Sequence, residues 1–290
     1  MIKKIWLLIK TTVIAWNDDY VASMGAALAF YTLFSIAPLL LIVLSVMGFV
    51  FGAEAARGEI AQQLQNLMGE QSALTVQALL QNANKPTDGM VATIIGVLLL
   101  LIGATTVFGE LQSALDRIWR VPERLPISGI IPFLRSRLLS FGMIFGIGFI
   151  LMVSLIFNAA LLVFSQWWSV QFKWLIIINS VNLVFSFVMT AAMFALIYKY
   201  IPSVKIRWGE VWIGALITAA LFTVGKYLIG LYMTKSAVAS GFGAAGSVVA
   251  LLVWVYYSAQ IFLLGAEFTW AYSTLYGSRS KISFAEKSLS

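Results

Sequence analysis

Long uncharged runs alternate with short charged interruptions along the whole chain. A helix needs about 20 apolar residues to cross a hydrocarbon core roughly 30 Å thick. Five runs without a charged residue exceed that length: Tyr20–Ala53, Gly89–Gly109, Leu138–Phe172, Trp174–Tyr198 and Ser236–Ala266. A sixth, Val211–Thr234, is interrupted only by Lys226. Backbone groups in lipid must bond within their own segment, and these runs lack the two-residue alternation of barrel strands. The pattern predicts an all-α, polytopic membrane bundle of six transmembrane helices, forming a single domain over residues 1–290.

The flanks carry weaker periodicities. Within residues 1–19, Ile2, Ile5, Trp6, Ile9, Val13 and Trp16 recur at helical spacing while Lys3, Lys4 and Lys10 lie off that stripe. This is the pattern of an amphipathic helix lying on the inner leaflet; its plainer alternative is a cytoplasmic extension of the first span. Residues 52–88 hold Ile60, Leu64, Leu67 and Met68 at helical spacing, then Gly69, then a second helical stretch around Leu74–Leu80. They read as an outer helical hairpin broken at Gly69. Residues 273–290 read as a cytoplasmic tail.

Composition supports a membrane protein: 61% of the 290 residues are hydrophobic and 11% charged, against roughly 45–50% and about 25% in soluble domains. The net charge of +7 could indicate a nucleic-acid binder, so its placement matters. With the N-terminus inside, Lys3, Lys4, Lys10, Arg117, Arg120, Arg124, Arg135, Arg137, Lys199, Lys205, Arg207, Arg279, Lys281 and Lys287 are cytoplasmic, and only Arg57, Lys85, Lys173 and Lys235 face outward. The excess follows the positive-inside rule, so the charge is topological and no nucleic-acid partner is expected. Trp167, Trp168 and Trp174 at one boundary, and Trp208, Trp212 and Trp270 at the other, fit interfacial belts. The first ten residues do not read as a removable signal peptide.

The chain contains no cysteine and no histidine, which removes thiolate and imidazole metal ligands, Cys/His nucleophile pairs and Ser-His-Asp triads. No Walker-type phosphate loop is present. The expectation is a protein that is not an enzyme, with no catalytic residue, metal or cofactor.

Ionisable groups within spans are costly and are functional candidates by default. Asp18, Asp19, Glu110 and Glu267 collect toward the inner face, at the depth of Arg117, Arg120 and Lys199. They form either a structural ion-pair network or an inner gate or proton site. Toward the outer half stand Ser154 and Asn158, Asn179, Asn182 and Ser186, and Lys226. Their three- and four-residue spacings put each set on one helix face, where they either join helices or line a substrate cavity. Small residues at Ala22, Gly25, Ala29, Thr32 and Ser35, at Gly142 and Gly146, and at Ala239, Gly243 and Ser247 mark close helix packing. Pro38 is expected to kink the first span.

Three blocks, "GAALAFYTLFSIAPLLL" from Gly25, "FGELQSALDRIWRV" from Phe108 and "GAAGSVVALLVWVYYSAQIFLLGAEFTWAY" from Gly243, resemble the YihY/BrkB family of bacterial inner-membrane proteins, long mislabelled ribonuclease BN. The resemblance implies a six-helix inner-membrane protein with envelope functions, including a proposed lipid-transport role, and carries over no catalytic residue. A nuclease would need acids or histidines converging on metal ions in an aqueous site, which this sequence does not provide. Transbilayer handling of an amphipathic envelope substrate such as a lipid is the leading expectation; a non-transporting scaffold or envelope-assembly partner is the alternative. Membrane lipids are the expected partners, with envelope-assembly proteins or a second copy of the chain beside them.

Overall fold

The computed structural model describes residues 2–83, 106–122, 146, 149–150, 153, 156–157, 172–235 and 245–279. Among these every regular element is a helix: α1 Ile2–Asp18, α2 Val21–Phe51, α3 Ala53–Ala83, α4 over 106–118, α5 Phe172–Tyr200, α6 Trp208–Lys235 and α7 Gly246–Leu275. Three segments are long and apolar enough to cross a membrane: Ser180–Tyr200, Trp208–Tyr232 and Val248–Leu275. A fourth candidate is the pair Lys3–Asp18 and Val21–Ala37, bent by 62° and readable as one broken span. Most of the expected second and third spans lies outside the described residues. Pro38 sits within α2, just beyond the straight segment ending at Ala37.

Helix α1 turns a face beside its apolar stripe, about 100° round the helix, toward the protein. Leu8, Thr12 and Ala15, spaced four and three apart, are buried where α1 packs on α7. Ile5, Trp6, Ile9 and Val13 of the stripe are exposed. The stripe is therefore free to meet lipid, and the residues between its members make the tertiary contact.

A single residue, Gly52 at φ 88°, separates α2 from α3. A Cβ there would be strained, and so tight a turn returns the chain onto the helix it has just left. Residues 53–83 are helical at every position, Gly69 included. One interior glycine weakens a helix by about 1 kcal/mol without ending it. The last helix runs from Gly246 to Leu275, beyond Ala266, and residues 236–244 lie outside the described residues. Glu267 thus stands eight residues before the helix end, about 12 Å of rise.

Two apolar cores organise these helices. One joins Ala29 and Val43 of α2, Ile60, Leu64, Ala73, Val76 and Leu80 of α3, and Leu251 and Val255 of α7. The other, larger core gathers Val21, Leu115, Ile118, Trp119, Phe194, Tyr198, Val211, Ala215, Leu263 and Ala266 where α1 meets α2. We call this the junction end.

Candidate functional site

At the junction end the chain leaves α1 through Asp19 and Tyr20. Tyr20 adopts φ 56°, and α2 starts with no side-chain cap. Opposite it, α4 ends in a Schellman-type turn: Arg120 N donates to Arg117 O at 2.9 Å and Val121 N to Asp116 O at 2.9 Å. Glycine usually fills the left-handed position of that turn; here it is Arg120, at φ 51°. Tyr20 and Arg120 are the positive-φ non-glycine residues among the described residues. Each left-handed conformation costs roughly 1–2 kcal/mol, and the same contacts bind the two together. Arg120 pairs with Asp19 at 3.4 Å and lies 4.4 Å from the Trp270 ring centroid, while Arg117 lies 5.7 Å from that of Tyr20.

Beneath that pair is Glu267 of α7, with 0% of its surface exposed. Its charged surroundings are Asp19, Arg120 and Asp18. Among the described residues no donor reaches either Glu267 oxygen. Seven residues earlier on the same helix face, Gln260 donates through Nε2 to the carbonyls of Val21 at 3.3 Å and Ala22 at 3.4 Å, its Oε1 remaining unpartnered. Trp119, buried between α4 and this core, also leaves its Nε1 unpartnered. Its carbonyl accepts from Arg279 at 3.0 Å, and the same guanidinium lies 5.1 Å from its ring centroid. An orphaned buried polar atom costs about 1–3 kcal/mol, so a cluster of them at one end of a bundle marks the place where the fold has not been optimised for stability alone.

The surrounding polar groups are satisfied. Glu210, buried in the first turn of α6, accepts from Ser273 Oγ at 2.8 Å and Ser278 N at 2.6 Å. Asp116 accepts from the backbone N and Oγ of Ser203, both at 2.7 Å. Tyr198 donates to Phe262 O at 2.6 Å and lies 3.0 Å from Thr218 Oγ1.

Of the residues expected at one end, the structure brings Asp18, Asp19, Arg120 and Glu267 together and sets Arg117 on the rim. Lys199 does not join them: it donates to Ile206 O and lies 5.4 Å from the Trp208 ring centroid. Glu110, half-buried on α4, enters no ion pair among the described residues. The expected ion-pair network is thus a single pair among the described residues, because Lys199 and Arg117 find carbonyl and aromatic partners nearer than the acids.

The second expected cluster is described only in part. Ser154 and Asn158 lie outside the described residues, as does the side chain of Asn179. Asn182 and Ser186 are exposed on α5, 3.5 Å apart, with Ser186 Oγ donating to Asn182 Oδ1. Lys226 lies 5.5 Å from the Tyr227 ring centroid and lines a narrow cleft with Phe222, Ile229, Trp254, Tyr257, Ser258 and Ile261. Those are residues of α6 and α7, so Lys226 faces α7 and not the Asn182 stripe. A larger cavity of about 440 Å³ opens between α2 and α3, lined by Leu41, Leu44, Ile60, Leu64 and Leu80 with Arg57, Gln77 and Gln81.

Sequence reasoning passed over Gln260, Glu210 and Asp116. The seven-residue spacing of Gln260 and Glu267 was visible, and Glu210 is the lone acid entering its span, yet neither signal shows which backbone it meets.

Apolar helices of spanning length and buried polar groups between them define a helical integral membrane protein. The chain belongs to the family described as Virulence factor BrkB, whose family model matches residues 12–289. It is similar to UPF0761 membrane proteins of Aeromonas salmonicida, 28% identical over 88% of this chain and 84% of the relative, and of Acinetobacter baylyi, 25% identical over 91% of this chain. The match spans only 61% of the Acinetobacter relative's length, and 44% of that of a Psychrobacter relative, which is 27% identical. No solved structure matches.

Proposed function

We propose that this chain is a multi-pass inner-membrane protein, with six spans and both termini cytoplasmic, that moves or handles an amphipathic envelope substrate such as a lipid and catalyses no chemical reaction. The observation that carries this reading is the α2–α3 cavity. Its walls are aliphatic and its polar lining combines Arg57 with Gln77 and Gln81, the mixture an acyl chain and an anionic headgroup require. A straight helix would hold Arg57 and Gln81 about 36 Å apart. Their sharing one cavity supports an α3 that folds back near its middle as the hairpin expected from Gly69. Under the orientation given by the lysine and arginine asymmetry, the cavity sits on the outer side.

The test is lipid translocation in proteoliposomes containing fluorescent lipids. Wild-type protein is expected to accelerate exchange between leaflets, and Ala61→Trp, at a position that also lines the cavity, to fill it and abolish the gain. Arg57→Gln is expected to slow an anionic lipid more than a zwitterionic one. Wild-type protein that moves no lipid, while keeping its fold, would favour the scaffold or envelope-assembly reading.

A further inference from the structure

We propose that Asp19 and Glu267 form a carboxyl pair that binds one proton, and that the Asp19–Arg120 contact is the latch over it. Three independent features place the site there. The first is Glu267, wholly buried with two oxygens that no donor reaches among the described residues. A charged carboxylate left so would be strongly disfavoured, and the group facing it is another carboxyl, which has no hydrogen to give when ionised. One shared proton supplies the missing donor and removes the repulsion between two like charges. The second is the helix break: α1 and α2 meet at 62° through a left-handed Tyr20. Asp19 therefore sits on a joint, not inside a continuous helix. The third is Arg120, itself left-handed and half exposed at 50% of its side chain, holding Asp19 from the solvent side at 3.4 Å. Strain held at two facing residues is what a two-position element needs.

The balance of the step is simple. With the latch closed, Arg120 and the proton share the two carboxyls. When Arg120 swings outward, Asp19 loses its cation and reaches water, so the carboxyl still ionised takes a second proton from water; the returning guanidinium favours the ionised form and drives that proton back to water. The other charged groups around the pair do not compete for this role. Asp18 adds only a further negative charge. On α5 the Tyr198 hydroxyl is committed to Phe262 and Thr218. On α6 Glu210 is committed to Ser273 and Ser278, and Arg279 beyond α7 is held on Trp119. Helix α3 meets α7 at the far end, around Leu251 and Val255. Use of the proton to drive substrate movement rests on the function proposed above; the binding site does not.

The experiment uses the full chain in lipid nanodiscs. Dicyclohexylcarbodiimide, which attacks protonated carboxyls in apolar surroundings, is expected to modify Glu267, at a rate falling about tenfold per pH unit once the proton is lost. Infrared difference spectra of wild type against Glu267→Gln are expected to show the carbonyl band of a protonated carboxylic acid. Asp19→Asn is expected to change the pH profile of labelling, and Arg120→Gln to extend labelling to higher pH, because the cation that favours the ionised pair is gone. Absence of the infrared band in folded protein overturns the proposal. So does a pH profile identical in wild type, Asp19→Asn and Arg120→Gln, or labelling suppressed by sodium ions and indifferent to pH, which would assign the site to a metal cation. A protein that shows the band and the shifts but moves no lipid keeps the proton site and loses the transport function.

Discussion

Thr218 and Thr269 each donate their hydroxyl to the carbonyl four residues back, Gly214 at 2.8 Å and Gly265 at 2.7 Å. The same two threonines face those glycines across the α6–α7 interface: a Cβ on Gly214 would overlap Thr269 Oγ1, and one on Gly265 would overlap Thr218 Oγ1 and approach Tyr198 OH at 2.6 Å. The exchange is reciprocal, so neither helix can move away without the other losing its fit. Gly265→Val is therefore expected to cost about 1–3 kcal/mol through overpacking, read as a lower unfolding midpoint in detergent. Tyr198→Phe removes the bond to Phe262 O without altering shape, and an interhelical hydrogen bond of this kind is worth roughly 0.6 kcal/mol in a membrane protein. Its expected shift is correspondingly small, and a loss above that of Gly265→Val would mean that Tyr198 holds more than one interface. The small-residue stripe of α2 behaves similarly: Gly25 leaves room for the Gln260 side chain, which an added methyl would strike. That stripe was legible as spacing; the particular residue that fills it was not.

At the scale of the element, α1 shows how far periodicity reaches. Its apolar stripe predicted a helix and a lipid-facing side, and the exposed Ile5, Trp6, Ile9 and Val13 agree. Its tertiary anchor was silent in the sequence. Leu8, Thr12 and Ala15 make an ordinary mixed face, and the tie between Tyr276 OH and Lys4 O, 3.1 Å apart, links residues 272 positions distant. Because the chain has no cysteine, single labels report cleanly. A spin label at Val13→Cys is expected to be relaxed by lipid-soluble oxygen, while one at Thr12→Cys is shielded by α7. Equal exposure of both positions would detach α1 from the bundle. The interfacial Trp208 and Trp212, each about 40% exposed, fit the belt expected at that end of α6.

For the whole molecule, the prediction that tests the orientation is accessibility. Ser203 would have been the natural label site in the α5–α6 loop, but it holds Asp116 through two hydrogen bonds, so the exposed Lys205 is the better position. With both termini inside, an impermeant maleimide is expected to reach Ser72→Cys from outside and Lys205→Cys only after the membrane is opened. The reverse pattern would invert the topology and carry the α2–α3 cavity to the other face. The sequence by itself determined the solvent and the secondary structure, since uncharged runs of spanning length have no stable fate in water and only a helix satisfies their backbone in lipid. It also picked Asp19, Arg120 and Glu267 out of the chain, because charge gathered at one end of such runs is costly unless it is neutralised. Only the tertiary structure decided which charges meet. A lysine can be neutralised by a carbonyl or an aromatic face as readily as by an acid, so Lys199 went to Ile206 and Trp208, Lys226 to Tyr227, and, among the described residues, Arg120 alone to an acid, Asp19. That choice depends on the 62° bend between α1 and α2 and on the left-handed turn ending α4, neither of which hydropathy encodes.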